Sequence, residues 1–326
     1  MIIDVHTHTL CPEVNAIVAG LIGPEDVPYQ RDISPESKAR DREQAPQLAE
    51  KFNNLDRRLA EMDKMGVELQ AVATAPGQQH YWLPVDTLVE ISRMQNDHVV
   101  ALVGRAPERF VGIGTLPLTD TDAAVEEAKR GVARGLKAFQ IDSRCMEREL
   151  SDRTLDPLYD TLQSLGVGLM IHPLGFSHGE RFTSFFMVNS VAQPLEELIA
   201  FNHLVFGGVL DRFPKLKVYI AHGGGFAPYY IGRFDHAWTV RPELRRLTPK
   251  PPSDYLARLF YDTCVFRPDH IRTLVDLVGA DRVMLGSDYP FDMGDTDPVG
   301  TLDAAGLSAD QRAAITSATA RTFLGL

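Results

Sequence analysis

The chain has 326 residues, and its contents of 44% hydrophobic and 24% charged residues are typical of a folded globular protein and exclude wholesale disorder. Its 33 basic and 44 acidic residues give a formal charge of −11, which disfavours nucleic acids and anionic membranes as partners. The three cysteines lack paired spacing, and there is neither a long uncharged apolar run nor a basic-then-apolar N-terminal segment, so we expect a cytoplasmic protein without disulfides, membrane helix or signal peptide.

Eight short runs rich in Val, Ile, Leu and Phe are the predicted β-strands. They lack strict alternation of polar and apolar residues, which is typical of strands covered on both faces. The predicted strands span residues 2–9, 67–76, 110–118, 135–143, 167–175, 217–225, 259–266 and 282–291.

Helical patterns fill most of the intervals between these runs. The clearest span residues 54–65, 121–134, 154–165 and 268–278, where apolar residues recur at helical spacing or a capping residue precedes them. Alternating strands and helices imply parallel strands with crossover helices, and eight such units make a closed (β/α)8 barrel. We therefore predict an α/β fold with one TIM-barrel domain over residues 1–326; a doubly wound open sheet is the structural alternative.

Three connecting stretches are longer than a barrel requires. Residues 10–51 contain prolines and many charges and follow the first strand, so we expect them to form an insertion or lid over the C-terminal mouth of the barrel. The other two are the aromatic stretch 176–189 and the Pro- and Arg-rich stretch 241–254.

Five polar side chains lie at the ends of nearly apolar strands. His6 and His8 share one face of the first strand because strand side chains alternate, and His172, His222 and Asp288 end the fifth, sixth and eighth strands. The carboxyl ends of all barrel strands meet at one face, so we expect the five side chains to converge there. A catalytic zinc takes three or four protein ligands and an open position, and His6, His8, His172 and Asp288 supply such a set.

His222 is then available for acid–base chemistry, since an unperturbed histidine titrates near neutrality. Asp288 is placed to take part in the same proton transfers, and a fifth metal ligand is the alternative role for His222. Lys137 lies early in the fourth strand, which is the wrong end for a carboxylated lysine that bridges two metal ions. We therefore expect a mononuclear site.

Four further residues are candidates for contact with a substrate. Arg233, after the sixth strand, could grip a carboxylate in bidentate fashion or could equally form a surface ion pair. Trp82 follows the second strand and is a candidate for the pocket wall. Leu174 and Phe291 follow two of the expected ligands closely and are candidates for the same wall.

Motifs along nearly the whole chain resemble the decarboxylase branch of the amidohydrolase superfamily, typified by aminocarboxymuconate semialdehyde decarboxylase. In chain order they are Ile3-Asp-Val-His-Thr-His8, Arg58-Leu-Ala-Glu-Met-Asp63, Arg109-Phe-Val-Gly-Ile-Gly-Thr-Leu-Pro117, Ile171-His-Pro173, Arg212-Phe-Pro-Lys-Leu-Lys217, Ala221-His-Gly-Gly-Gly225, Ile231-Gly-Arg233 and Val283-Met-Leu-Gly-Ser-Asp-Tyr-Pro-Phe291. The resemblance implies a Zn²⁺-dependent or Mn²⁺-dependent carbon–carbon lyase that removes CO₂ from an unsaturated or aromatic carboxylic acid without an organic cofactor.

The same resemblance implies roles for individual residues. His6, His8, His172 and Asp288 match the metal ligands, and His222 matches the residue that activates a bound water or delivers a proton. Arg233 matches a family arginine that reaches the substrate carboxylate from the neighbouring subunit, which implies a functional homodimer.

The chain departs from the typical member of that family at three places, one of which is the aromatic motif after the fifth strand, which reads Phe185-Phe-Met-Val-Asn189 here. Leu174 replaces the tryptophan that follows the His-Pro pair of the fifth strand, and Pro46 stands in the register of a family arginine, with Arg40 and Arg42 nearby. We therefore predict a different substrate, such as another muconate semialdehyde or a hydroxylated or amino-substituted benzoate. The alternatives are a metal-dependent hydrolase or hydratase on the same scaffold and a non-catalytic metal-binding protein; release of CO₂ distinguishes the decarboxylase from both.

Overall fold

Eight parallel strands form the centre of the computed structural model, which describes residues 1–23 and 25–326. Each predicted strand is present, and most are shorter than predicted. The barrel strands are Ile3–Thr9, Leu69–Thr74, Phe110–Thr115, Ala138–Ile141, Gly168–Ile171, Lys217–Ile220, Tyr261–Asp262 and Val283–Met284.

These strands close into a barrel. The first six pair in chain order with parallel register, and the seventh pairs with the eighth. A bridge between Tyr219 and Phe260 joins the sixth strand to the seventh, and a bridge between Thr7 and Tyr289 joins the chain after the eighth strand back to the first. The TIM-barrel prediction is therefore confirmed, and the open sheet is excluded.

Helices surround the barrel, and all four predicted ones are present. Residues 54–65 illustrate how their ends are fixed: the Asn54 side chain accepts a hydrogen bond from the N–H of Arg57, and Gly66 ends the helix in the left-handed conformation. The α-helices are Pro12–Val18, Pro28–Asp32, Pro35–Asn53, Leu55–Met65, Val85–Arg105, Thr121–Ala133, Asp156–Leu165, Gln193–Phe206, Val209–Arg212, Ala227–Val240, Ser253–Leu256, Pro268–Val278, Pro298–Asp303, Ala309–Ala313 and Thr319–Leu324.

Two apolar layers hold the barrel together. One cluster takes side chains from seven of the strands, among them Val5, Ala71 and Met284, and Phe260 from just before the seventh, and therefore fills the barrel interior. Phe323 of the last helix belongs to it and packs so closely on Gly168 that a Cβ there would lie 2.3 Å from the ring. A larger cluster lies between the strands and the surrounding helices.

Two connecting segments differ from a minimal barrel. Residues 10–51 contain three helices, and the amide of Gln44 donates a 3.1 Å hydrogen bond to the carboxylate of Asp292, after the eighth strand. A short antiparallel hairpin of Arg144–Cys145 and Arg148–Glu149, which was not predicted, follows the fourth strand. In the described part of the chain, every helix is too short or too polar to cross a lipid bilayer.

Candidate active site

Four histidines and one aspartate meet at the carboxyl ends of the strands. His6, His172, His222 and Asp288 each offer one ligand atom, and these atoms lie within 4.8 Å of one another. His8 adjoins the same group, because its Nε2 lies 3.2 Å from Oδ1 of Asp288, while Nε2 of His6 lies 3.4 Å from that oxygen. All five side chains that the sequence singled out therefore lie in one cluster.

The ligand atoms of this cluster are buried and unsatisfied. Nε2 of His6, Nε2 of His172, both ring nitrogens of His8 and Oδ1 of Asp288 lack hydrogen-bond partners within the described residues, and their mutual contacts lack hydrogen-bond geometry. An unpaired buried polar group costs about 1–3 kcal/mol. Imidazole nitrogens and a carboxylate are ligands that a divalent transition metal accepts together. The residues present therefore fit a bound divalent metal ion.

Asp262 fixes the orientation of His6. Its carboxylate lies 2.7 Å from Nδ1 of His6, accepts the Tyr219 hydroxyl, and also accepts the N–H of Gly223 at 2.8 Å. Burial by itself raises the pKa of Asp262, but hydrogen bonding and charge from His6 outweigh burial and hold the pKa below its usual value. Because Nδ1 of His6 is bound to this carboxylate, Nε2 is left to face a metal.

His222 is held between two carboxylates. Its Nδ1 is hydrogen-bonded to the fully buried Glu197, and its Nε2 lies 3.7 Å from Oδ2 of Asp288. Burial by itself lowers the pKa of His222, but the charge and hydrogen bond of Glu197 and the nearby charge of Asp288 outweigh burial and hold the pKa well above its usual value. This environment favours a protonated imidazole, which can act as an acid.

The backbone at two of these positions is constrained. His222 and Asp288 have φ values of 49° and 60°, which residues other than glycine rarely adopt. Such conformations persist where the surrounding structure enforces them, and they concentrate at functional sites. Gly224, two residues after His222, has φ of 78°, and a Cβ there would lie 2.6 Å from the Tyr261 ring. The glycines therefore let the chain turn sharply at the end of the sixth strand.

Arg58 is hydrogen-bonded to the strand that carries His6 and His8. It is 1% exposed and donates hydrogen bonds to the His8 carbonyl at 2.7 Å, to the Thr7 hydroxyl at 2.8 Å and to the Gln70 amide oxygen at 2.8 Å. Its guanidinium also lies over the ring of Tyr289. These contacts tie the segment that carries His6 and His8 to its neighbours.

A cavity of about 490 Å³ opens onto the cluster. His172 and Asp288 contribute to its lining, and so do Leu174 and Phe291 among the residues predicted to contact substrate. Residues 10–51 contribute much of the remaining wall. Their lining side chains are Leu10, Asn15, Val27, Tyr29, Gln30, Asp41, Gln44, Ala45, Leu48 and Ala49, and Phe52 lines the cavity directly after them.

Two other predicted contact residues lie outside this lining. Arg233 is exposed on the helix Ala227–Val240, and Trp82 is half-buried against the core with its ring 5.4 Å from that of His80. Arg40 and Arg42 also lie outside it, and Arg40 is bound to Glu43 at the surface. Within the described residues, the cavity wall therefore contains neither arginine nor lysine.

A closed barrel whose C-terminal mouth carries side chains that fit a divalent metal ion is typical of metal-dependent barrel enzymes. Residues 3–326 match the family model described as amidohydrolase. The 2-amino-3-carboxymuconate-6-semialdehyde decarboxylase of Dictyostelium discoideum is 34% identical over 245 residues, covering 74% of this chain and 68% of that protein. The chain therefore belongs to the amidohydrolase family and, within it, to the decarboxylases related to that enzyme.

Solved structures of other decarboxylases have a fold similar to that of this chain. The 5-carboxyvanillate decarboxylase of Sphingomonas paucimobilis has a TM-score of 0.87 at 24% identity, covering 100% of this chain and 99% of that one. A dihydroxybenzoic acid decarboxylase from Polaromonas, solved with bound manganese, has a TM-score of 0.83 at 22% identity, covering 100% and 97% of the two chains. Both share the barrel architecture with this protein.

Proposed function

We propose that this carboxy-lyase removes CO₂, without oxidation, from an unsaturated or aromatic carboxylic acid that differs from the substrate of its carboxymuconate-semialdehyde relatives. The proposal rests mainly on one observation: buried, unsatisfied ligand atoms and a carboxylate-bound histidine form one cluster, two members of which, His172 and Asp288, line a cavity. The different substrate is supported by Leu174 in the wall and by the lack of a described arginine at the cavity surface.

We propose His6, His8, His172 and Asp288 as the metal ligands. Zn²⁺ and Mn²⁺ both accept nitrogen and carboxylate ligands, and manganese is bound in the Polaromonas structure. When bound, the ion would supply positive charge that binds and orients the negatively charged acid. Asp262 keeps His6 in the ring orientation that this role needs.

His222 is the proposed proton donor. From its Nε2 it passes a proton to the substrate carbon that carries the carboxylate, and that carbon becomes tetrahedral. The bond to the carboxylate then breaks, CO₂ leaves, and the electron pair of that bond returns to the conjugated system. The product therefore carries the proton in place of the carboxyl group. Glu197 orients the imidazole throughout, and Asp288 stabilises its positive charge before transfer.

Metal-dependent release of CO₂ tests this function. Protein treated with a chelator should lose activity towards a panel of hydroxylated and aminated benzoates and muconate semialdehydes, and Mn²⁺ or Zn²⁺ should restore it. In D₂O the product should gain one deuterium at the carbon that lost CO₂. Ring opening or addition of water without CO₂ would instead support the hydrolase or hydratase alternative.

The segment 10–51 is proposed as a lid on the single barrel domain. Its side chains line the cavity, and Gln44 is hydrogen-bonded to Asp292 across the mouth. A covered cavity excludes water and so strengthens the interactions between the charged groups of the site and a bound acid.

We propose that Arg233 acts across a homodimer interface on the carboxylate of a substrate bound to the partner. Arg233 is exposed, and the same surface presents Phe226 and Tyr230, which are 40% and 56% exposed. Large exposed aromatic side chains close together are typical of a surface that a protein partner covers. The arginine would supply the positive charge that the wall of a single protomer lacks.

Mixing two inactive variants tests the role of Arg233. We expect Arg233→Ala and His222→Asn to be inactive alone and to recover about a quarter of the wild-type activity after random subunit exchange, since half the dimers then contain one complete site of two. Mixing His222→Asn with Asp288→Asn should recover nothing, because those two residues belong to the same protomer's site. No recovery in the first mixture would exclude an arginine acting from the partner.

The three cysteines bear on the cellular compartment. Cys11, Cys145 and Cys264 are buried and carry free thiols. Free thiols persist where the surroundings are reducing, so we propose a cytoplasmic location.

A further inference from the structure

One part of the cavity wall carries negative charge without a matching cation. Asp41, on the helix Pro35–Asn53, and Asp292, after the eighth strand, both line the cavity, and neither forms an ion pair with a basic side chain among the described residues. The nearest basic residues in sequence, Arg40 and Arg42, lie outside the lining, and Arg40 is bound to Glu43. We call Asp41 and Asp292 the acidic wall.

The two carboxylates of the acidic wall influence each other. Burial and the charge of Asp292 together raise the pKa of Asp41, while hydrogen bonding from Gln44 and Tyr29 opposes this. Gln44 also donates to Asp292 at 3.1 Å, so the same amide side chain adjoins both acids. A third negative charge brought to this wall would be repelled, whereas a cation or a hydrogen-bond donor would be attracted.

The same cavity contains atoms that require a ligand. His172 is 4% exposed, lines the cavity, and its Nε2 has no hydrogen-bond partner among the described residues. Asp288 is 6% exposed and also lines the cavity. The acidic wall therefore borders a binding site that is built for another molecule, and the carboxylate of a bound acid is drawn to the positively charged metal site rather than to the wall.

We infer that the acidic wall is a specificity subsite that accepts an amino or hydroxyl substituent of the substrate and rejects a second carboxylate. The substrate class is thus a monocarboxylic acid with a hydrogen-bond donor elsewhere on its conjugated system. This inference rests on the proposed function for the placement of the reacting carboxylate. Asp41 is its principal residue, because it is the more buried of the two acids. An N–H or O–H donated to a carboxylate is a charge-assisted bond, which is among the stronger hydrogen bonds in proteins.

Binding of matched ring acids to the metal-loaded enzyme tests the subsite. The three aminobenzoates and the three hydroxybenzoates are compared with the three benzenedicarboxylates by calorimetry, so that each pair differs only in one substituent. We expect the best donor-bearing acid to bind at least about tenfold more tightly than its dicarboxylate counterpart. Asp41→Asn should remove most of that preference, and Asp41→Lys should reverse it. Glu43→Gln, on the same helix but outside the cavity, should leave the preference unchanged.

The outcomes separate the subsite from the reaction. A dicarboxylate that binds the wild-type enzyme as tightly as its donor-bearing counterpart would overturn the subsite, and so would a preference that Asp41→Asn leaves intact. CO₂ release assayed on the same acids reports independently on the proposed function. If no acid releases CO₂ while the preference and its loss in Asp41→Asn are both observed, the reaction is refuted and the subsite stands. Thermal melting of each variant shows that the fold is retained.

Discussion

Replacing His222 with asparagine should reduce CO₂ release by about a thousandfold, within the range that a general acid contributes, while the enzyme keeps its metal. The physical reason is that His222 is the one member of the histidine cluster whose Nδ1 is bound to a buried glutamate and whose pKa is held well above its usual value. Asparagine is the suitable substitute because it tolerates the left-handed backbone, and φ is 49° at this position.

The measurement combines kinetics with metal analysis on the same preparation. His178→Asn is the matched control, since His178 also has a left-handed backbone, with φ of 55°, but its side chain is 76% exposed. A fully active His222→Asn enzyme with a full complement of metal would refute the role of proton donor. Loss of metal together with activity would instead make His222 a fifth ligand.

The barrel could be predicted because burial leaves a clear pattern in the sequence. Runs such as 217–225 and 282–291 are apolar since they are covered on both sides, but apolarity indicates burial and not strand pairing. The sixth ladder ends earlier, at Ile220, two residues before the positive φ of His222. The eighth ends at Met284, although the backbone of Leu285, Asp288 and Tyr289 is still hydrogen-bonded to the first strand. Apolar runs therefore locate the strands but do not fix where their ladders end.

The cluster itself was visible in the sequence, whereas its supports were only partly so. The pattern of a polar residue at the end of an apolar strand predicts five members of the cluster. Asp262 at the end of the seventh strand shows the same pattern. Glu197 gives no comparable signal. It lies on the helix Gln193–Phe206, and only the packing of that helix against the sixth strand's turn brings it to His222. Arg233 and Trp82 were predicted to contact the substrate but lie outside the cavity lining. Proximity in sequence to a strand end is therefore not enough to place a side chain in the cavity.

Replacing Asp288 with asparagine should abolish stoichiometric metal binding and turnover together, with an intact fold. The substitution keeps nearly the same shape, and asparagine tolerates the φ of 60° found here, so the backbone has no reason to change. What is lost is the negative charge. That charge lies 3.4 Å from His6, 3.2 Å from His8 and 3.7 Å from His222. Burial by itself raises the pKa of Asp288, but attraction to His6 and the close contacts with His222 and His8 outweigh burial and hold the pKa well below its usual value, which favours the charged carboxylate.

We expect metal affinity to fall by more than a hundredfold, since losing even an outer partner of a metal ligand costs about 10- to 100-fold. Competition with a chelator measures the affinity, and thermal melting with and without Mn²⁺ or Zn²⁺ provides a second readout, because a ligand stabilises only the state that binds it. The melting temperature of the wild-type enzyme should rise with added metal, that of Asp288→Asn should not, and Asp310→Asn, which alters an exposed acid, should respond like the wild type. If Asp288→Asn still bound a full complement of metal, Asp288 would not be a metal ligand, and His6, His8 and His172 would hold the ion. The Asp288 carboxylate would then serve only proton transfer at His222.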